Sequence, residues 1–158
     1  MSNVQVPPTT VNFTPAHLEA LQRIRARSLD MDGVDYWIWE AIHCVNARVV
    51  VVEYQDIWGP DESVTVPYRD DFRGVFGPEG GADYAGASLA AFVKLAHRKG
   101  YRLVGTNRYG YNAFFVRNGL GESILPEVTV ASCFSHPKVV AGMRDRLPVV
   151  KDREWVRV

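Results

Sequence analysis

Four acidic residues follow two short apolar stretches of the chain: Asp30, Asp32, Asp35 and Glu53. They form the densest group of residues in the sequence that could catalyse a reaction or bind a metal ion. Carboxylate oxygens are suitable ligands for Mg²⁺, Mn²⁺ or Ca²⁺. Carboxylates held close together also raise one another's pKa, which can produce a general acid or base. We therefore predict that all four are catalytic and that Asp30, Asp32 and Glu53 are the ligands if a metal ion is bound. Alternatively, Asp35 only caps a helix and the other aspartates are solvated or bound to backbone amides.

A strand, a tight turn and a helix must position the aspartates. Residues 28–31 are predicted to form a short strand, Gly33 permits a turn, and Asp35 is suited to cap the next helix. In an extended chain, Asp30 and Asp32 would lie on the same side. The helix is marked by apolar residues that recur on one face, with Asn46 at its end: Ile38, Ala41, Ile42 and Val45.

The β-branched run 48–54 predicts a second strand, covered on both faces. Two strands joined through a helix form a right-handed parallel crossover, which indicates an α/β protein. In open α/β sheets, ligands bind outside the carboxyl ends of the strands. The carboxylates, together with Asp56, are therefore expected to converge on one crevice.

The rest of the chain is predicted to complete a single domain over residues 14–146. Residues 1–13 are interpreted as an arm and residues 147–158 as an extended tail. Further helices are predicted at 14–27, at 86–100, and after Ser135, which would cap a helix with Pro137 near its start. The remaining predicted elements are an antiparallel hairpin of strands 101–106 and 112–117 and a long loop at 55–85.

The long loop is rich in aromatic residues, which argues against disorder. We predict that it closes over the carboxylates as a lid. The side chains expected to contact a small polar substrate are Tyr36, Tyr54, Trp58, Ser88, Asn107 and Asn112. Asn107 is also explained more simply as a turn residue. The histidines and cysteines, which show no metal or redox spacing, are predicted to be structural: His17, His43, His97, His136, Cys44 and Cys133.

Charge and hydropathy exclude several classes of partner. The 18 basic and 18 acidic side chains give zero formal charge, and no basic run is suited to a phosphate backbone. Nucleic acid is therefore not an expected partner. No stretch is apolar for long enough to span a membrane, and the first ten residues lack the pattern of a signal peptide. With only two cysteines, a cytoplasmic location is expected.

Three motifs resemble a known family. DMDGVDY at 30–36, GASL at 86–89 and NAFFV at 112–116 are similar to the C-terminal half of Rossmann-type S-adenosylmethionine-dependent methyltransferases, closest to the FkbM-like group. The resemblance covers about residues 13–120. It implies a truncated Rossmann-like fold with a mostly parallel sheet, a closing antiparallel hairpin and helices on both faces. The glycine-rich cofactor turn of that family is absent here.

Three functions follow from these features. The first is a small metabolic enzyme that uses the carboxylates for acid–base or divalent-metal-assisted chemistry. The second is a methyltransferase that binds S-adenosylmethionine only when a partner chain completes the site. The third is a non-catalytic binding or assembly module. By this resemblance, strand 28–31 also lacks its usual neighbouring strand. A homodimer through that exposed edge is therefore expected, with Leu29 and the Trp37/Trp39 helix at or near the interface. Alternatively, the N-terminal arm covers the edge.

Overall fold

A four-stranded sheet forms the centre of the fold in the computed structural model, which describes residues 26–77 and 82–158. The elements in chain order are β1 (Ala26–Leu29), α1 (Asp35–Ala41), β2 (Val49–Glu53), β3 (Val64–Thr65), β4 (Val75–Phe76), β5 (Ala82–Tyr84), α2 (Leu89–Arg98), β6 (Tyr101–Thr106), β7 (Asn112–Arg117), α3 (Pro137–Asp145), α4 (Leu147–Val150) and β8 (Val156–Arg157). Short 3₁₀ turns occupy Asp56–Trp58 and Val130–Phe134. The chain is therefore an α/β protein.

The strand order of the sheet is β1, β2, β7, β6. β1 and β2 are parallel, whereas β7 is antiparallel to both β2 and β6. Across the described residues the pairing is thus mostly antiparallel, and the expectation of a mostly parallel sheet was wrong. β6 and β7 are joined by a short turn, so β7 returns antiparallel beside β6. β7 lies between β6 and β2 and is antiparallel to both. In direction, β1, β2 and β6 all run the same way.

The hairpin strands begin and end where the sequence predicted, at 101–106 and 112–117. β2 is one residue shorter at each end than its β-branched run. Its residues alternate between buried and half-buried, with Val50 and Val52 facing the core. The prediction that both faces of β2 are fully covered was therefore wrong for the described part of the chain.

Aromatic side chains attach α1 and α2 to the same face of the sheet. Trp39 of α1 contacts the rings of Phe92, Tyr101 and Phe115 at centroid distances of 5.2 to 6.1 Å. Trp37 points elsewhere, and its Nε1 donates to the Val66 carbonyl at 2.8 Å. The two tryptophans expected near a dimer interface are thus engaged inside the chain.

Three predicted helix boundaries were wrong. α1 ends at Ala41 rather than near Asn46, because Ile42 is already extended. The Lys99 ammonium binds the carbonyls of Glu40 and Ile42 at 3.1 and 2.9 Å, which satisfies groups that the helix end leaves free. α3 is capped by the ring of His136 rather than by Ser135.

The third boundary is the end of the helix predicted at 14–27. Its last two residues, Ala26 and Arg27, belong to β1, and the rest of it lies outside the described residues. α1 and α2 pack on the same face of the sheet. These two helices therefore do not cover both faces, although helices on both faces were predicted. Within the described ranges, no helix has the length and apolar character needed to cross a membrane.

The predicted loop 55–85 and the predicted extended tail stabilise each other. β3 pairs antiparallel with β8 from the tail, and β4 pairs with β5. Trp155 of the tail stacks edge-on against Trp58 and Tyr84. The tail also contains α4, so its description as wholly extended was wrong. No local pattern could reveal a pairing between strands about ninety residues apart.

β1 forms one edge of the sheet among the described residues. The N-terminal arm, which was expected to compete for this edge, lies outside the described residues. The homodimer through this edge stays a prediction.

Ser88 provides the first test of the fold. Its buried hydroxyl oxygen accepts N–H bonds from Ala91, where it caps α2, and from Val64 of β3. Replacement of Ser88 by Ala should lower the free energy of unfolding by about 1–3 kcal/mol, because a cap is lost and a buried N–H is left unpaired. Urea denaturation measures this loss. The exposed cap Thr129→Ala is the control, and an equal or larger loss in that variant would contradict the assignment.

Candidate functional site

The parallel pairing of β1 and β2 brings three carboxylates to one edge of the sheet. Leu29 lies beside Val52 in the register, so Asp30, which follows β1, and Glu53, the last residue of β2, are neighbours at the carboxyl edge of the sheet. One oxygen each from Asp30, Asp32 and Glu53 lies within 4.8 Å of the others. These are the residues that the sequence indicated as metal ligands, and the structure brings them together.

The turn after β1 gives the cluster its shape. Asp32 has a φ of 51°, in the left-handed region that aspartate tolerates better than most residues. The carbonyl of Gly33 accepts the Gly86 N–H at 2.8 Å, which ties the turn to the segment before α2. Asp32 therefore reaches Asp30 through a turn, and the extended chain expected for 30–32 was wrong.

Asp35 supports the turn from inside. Val34, not Asp35, occupies the N-cap position of α1, so the expected cap was wrong. One carboxylate oxygen of Asp35 accepts the Met31 N–H at 2.9 Å, and the other accepts the Gly33 N–H at 3.2 Å. Burial raises the pKa of Asp35 above its usual value despite these opposing hydrogen bonds. In this geometry Asp35 positions the turn and does not join the three clustered oxygens.

Electrostatic repulsion concentrates on Glu53. Burial first, and then the charge and hydrogen bonding of Asp30 and the charges of Asp32 and Asp35, raise the pKa of Glu53 from 4.5 to about 7. Among the described residues, no basic side chain forms an ion pair with Asp30, Asp32 or Glu53. The cluster is a site of negative charge that a cation or a proton would stabilise.

Asp56 does not belong to this cluster, although it was expected there. It is buried and accepts a charge-assisted hydrogen bond from Arg146. Burial raises its pKa, while the Arg146 charge opposes the shift. Its carboxylate thus connects the 3₁₀ turn after β2 to the end of α3.

Within the described part of the predicted lid, residues 72–74 lie beside the turn that contains Asp32. A Cβ on Gly74 would approach the Asp32 carbonyl oxygen to 2.7 Å, and one on Gly33 would approach Phe72 to 3.0 Å. Residues 72–74 therefore pack directly against the Asp32 turn. Trp58 packs on the C-terminal tail, whereas Tyr84 contacts both the tail and Phe72.

Five of the six residues expected to contact substrate have structural partners in the chain, and the asparagine among them, Asn107, is described below. Ser88 caps α2, and the hydroxyl of the buried Tyr36 accepts a hydrogen bond from Arg98 at 2.8 Å. Trp58 packs on Trp155, and the ring of Tyr54 packs on Phe134.

The two asparagines lie at the carboxyl edge of the sheet. Asn107 follows β6, and its Oδ1 accepts N–H bonds from Tyr111 and Asn112, which makes it the turn residue of the simpler interpretation. Asn112 begins β7 directly opposite Glu53 in the register. Of the six expected substrate contacts, Asn112 is therefore the one placed beside a carboxylate of the cluster.

Two of the clefts in the described part of the chain are lined by residues other than the three carboxylates. One, of about 420 Å³, lies near the ends of α1 and α2. The other, of about 440 Å³, lies beyond the end of β6 and is lined by Thr106, Arg108 and His136, among others. The carboxylates remain the candidate site, because the residue types present, rather than cleft volume, indicate a candidate for chemistry. The sequence analysis missed the second cleft, since Arg108 and His136 meet only through the fold.

Glu53 makes the stability of the protein depend on pH. Its raised pKa means that the folded state binds a proton between about pH 4.5 and 7 that the unfolded state has released, so stability should fall as the pH rises through that interval. Glu53→Gln removes this loss and should be more stable than the parent above pH 7, by on the order of 1 kcal/mol after solvent screening. Urea denaturation across this pH range measures the difference. The exposed Asp152→Asn is the control, and parallel curves for the parent and Glu53→Gln would contradict the repulsion.

In comparisons with known proteins, the chain matches no protein-family model, no curated protein sequence and no solved structure.

Proposed function

We propose that the protein is a small enzyme that binds a divalent metal ion through Asp30, Asp32 and Glu53 and acts on a small polar substrate. The observation that carries the proposal is the convergence of three carboxylate oxygens within 4.8 Å at the carboxyl ends of two parallel strands. Oxygen ligands of this kind suit Mg²⁺, Mn²⁺ or Ca²⁺.

Electrostatics favours a metal ion over an uncharged ligand at this cluster. Burial and the like charges around Glu53 make its ionised form costly, and no basic residue of the described chain forms an ion pair with the cluster. A divalent cation would remove this repulsion and hold all three side chains ionised. Asp30 and Asp32 are exposed, so solvent and a substrate can complete the coordination.

In the absence of a cation, Glu53 can instead serve as an acid or base. A pKa near 7 lies close to neutral pH, where a group can both donate and accept a proton. Asn112, opposite Glu53, is placed to orient a polar substrate group. The same cluster thus supports either metal-assisted or acid–base chemistry, and the choice between them depends on whether the cation is bound.

The fold also supports a proposal about the protein family from which this chain derives. β1, β2 and β6 run in one direction, and the sheet includes the antiparallel hairpin that was expected from the methyltransferase resemblance. This arrangement supports a truncated Rossmann-like scaffold. On that basis, the second candidate is a methyltransferase whose cofactor half is supplied by a partner chain.

A thermal-shift titration tests the metal site. Mg²⁺, Mn²⁺ and Ca²⁺ should be added separately to the metal-free protein at a pH above 7, where Glu53 is ionised. A cation at 100 times its dissociation constant should stabilise the fold by about 2.7 kcal/mol. Asp32→Asn and Glu53→Gln should abolish the response, because each removes a ligand.

Asp152→Asn, which neutralises an exposed carboxylate in the turn after α4, should leave the response intact. Line broadening by Mn²⁺ in an amide spectrum should centre on residues 30–32 and 53. Broadening spread evenly over the acidic surface residues would reject the site. Stabilisation by S-adenosylmethionine without any response to cations would favour the methyltransferase candidate.

A further inference from the structure

We propose that the cleft beyond β6 binds the phosphate group of a small organic molecule. The cleft of about 440 Å³ lies between the turn that follows β6 and the segment 132–137. Its volume falls within the range of small-molecule sites, about 300–1,000 Å³. The proposal does not depend on a metal ion at Asp30, Asp32 and Glu53.

The charge of the cleft is of one sign. Arg108 and His136 line it, and no aspartate or glutamate does. Lys138 lies in the first turn of α3, just beyond the lining residue Pro137. Neither Arg108 nor Lys138 forms an ion pair with any described residue; each instead lies over a tyrosine ring. Lys138 acts on the buried Asp56 carboxylate only through the longer-range attraction of their charges, and Arg146 already pairs with that carboxylate. In a protein of zero net charge, basic side chains outside any ion pair beside a concavity favour an anionic ligand.

The geometry of these groups suits a phosphate. The guanidinium of Arg108 offers a planar set of donors that matches phosphate oxygens. His136 accepts the Lys138 N–H through Nδ1 at 3.2 Å. In the neutral ring, the proton is therefore on Nε2, which is a donor. The lining hydroxyls of Thr106 and Ser135 provide further polar contacts.

Aromatic rings at the mouth of the cleft can hold the organic part of the ligand. Tyr109 and Tyr111 are 49% and 39% exposed, although both rings are large and partly apolar. Lys138 Nζ lies 3.9 Å from the centroid of Tyr111, and the ring of His136 meets Tyr109 edge-on at 5.5 Å. These contacts place the cations and the rings side by side, so one ligand can engage both.

A buried hydroxyl lies close to the cleft. Tyr54 is 4% exposed. Its hydroxyl interacts with Thr106, which lines the cleft, and lies near Cys133, which also lines it. A ligand that contacts Thr106 would therefore lie close to a second hydroxyl group.

An amide-spectrum titration with phenyl phosphate tests the proposal, because this probe carries both a phosphate and a ring. Shifts should centre on residues 105–108 and 132–137. Arg108→Gln should weaken binding about tenfold, the loss expected when a charge-assisted hydrogen bond is removed. Arg48→Gln, at the far end of β2, neutralises an exposed arginine and should bind as the parent does.

Three outcomes would overturn the proposal. The first is an absence of shifts at 105–108 and 132–137. The second is equal weakening by Arg108→Gln and Arg48→Gln, which would indicate only diffuse charge attraction. The third is binding of benzoate as tight as that of phenyl phosphate, which would assign the cleft to carboxylates. Because no step requires Asp30, Asp32 or Glu53, Glu53→Gln should bind phenyl phosphate as the parent does.

Discussion

The rest of the candidate site depends on the buried carboxylate of Asp35. By accepting the N–H groups of Met31 and Gly33, it fixes the turn that follows β1. Burial works against its charge and outweighs the stabilising hydrogen bonds, because its pKa is raised rather than lowered. Burial of the Asp35 carboxylate is therefore unfavourable in itself, but its hydrogen bonds stabilise a turn that holds Asp32 at a positive φ beside Asp30.

The same turn determines the electrostatics at the sheet edge. Parallel pairing makes β1 and β2 end together, so Asp30 and Glu53 are neighbours whatever their charge. Glu53 is the least exposed of the three clustered carboxylates, and its burial, together with the resulting repulsion, raises its pKa to about 7. Such accumulated like charge opposes folding unless a cation or proton offsets it, and it is typical of functional sites. The proposed metal site and the acid–base alternative are two ways of offsetting the same charge.

Contacts between residues far apart in the sequence place a second polar region at this edge of the sheet. Arg102 is buried in β6 and donates to the carbonyls of Arg117, Leu120 and Leu125, which anchors the segment after β7 to the sheet. The Val128 N–H then pairs with the Leu103 carbonyl at 2.9 Å. This anchoring brings residues 132–137 to the end of β6 and so forms the cleft proposed to bind phosphate. Negative and positive regions thus lie at the same carboxyl edge, on different strands.

The sequence by itself determined the elements whose patterns are local. β-branched residues predicted β2, and two strands separated by a turn that contains Gly110 predicted the hairpin to the residue. Carboxylates after two apolar runs predicted the Asp30, Asp32 and Glu53 cluster. Tertiary structure decided the pairing of β7 with β2, the pairing of β3 with β8, and the structural use of Ser88 and Tyr36. It also decided that Asp35 supports the turn rather than capping α1. The physical reason is that side-chain periodicity records which face of an element is buried, whereas the identity of the partner depends on contacts between residues far apart in the chain.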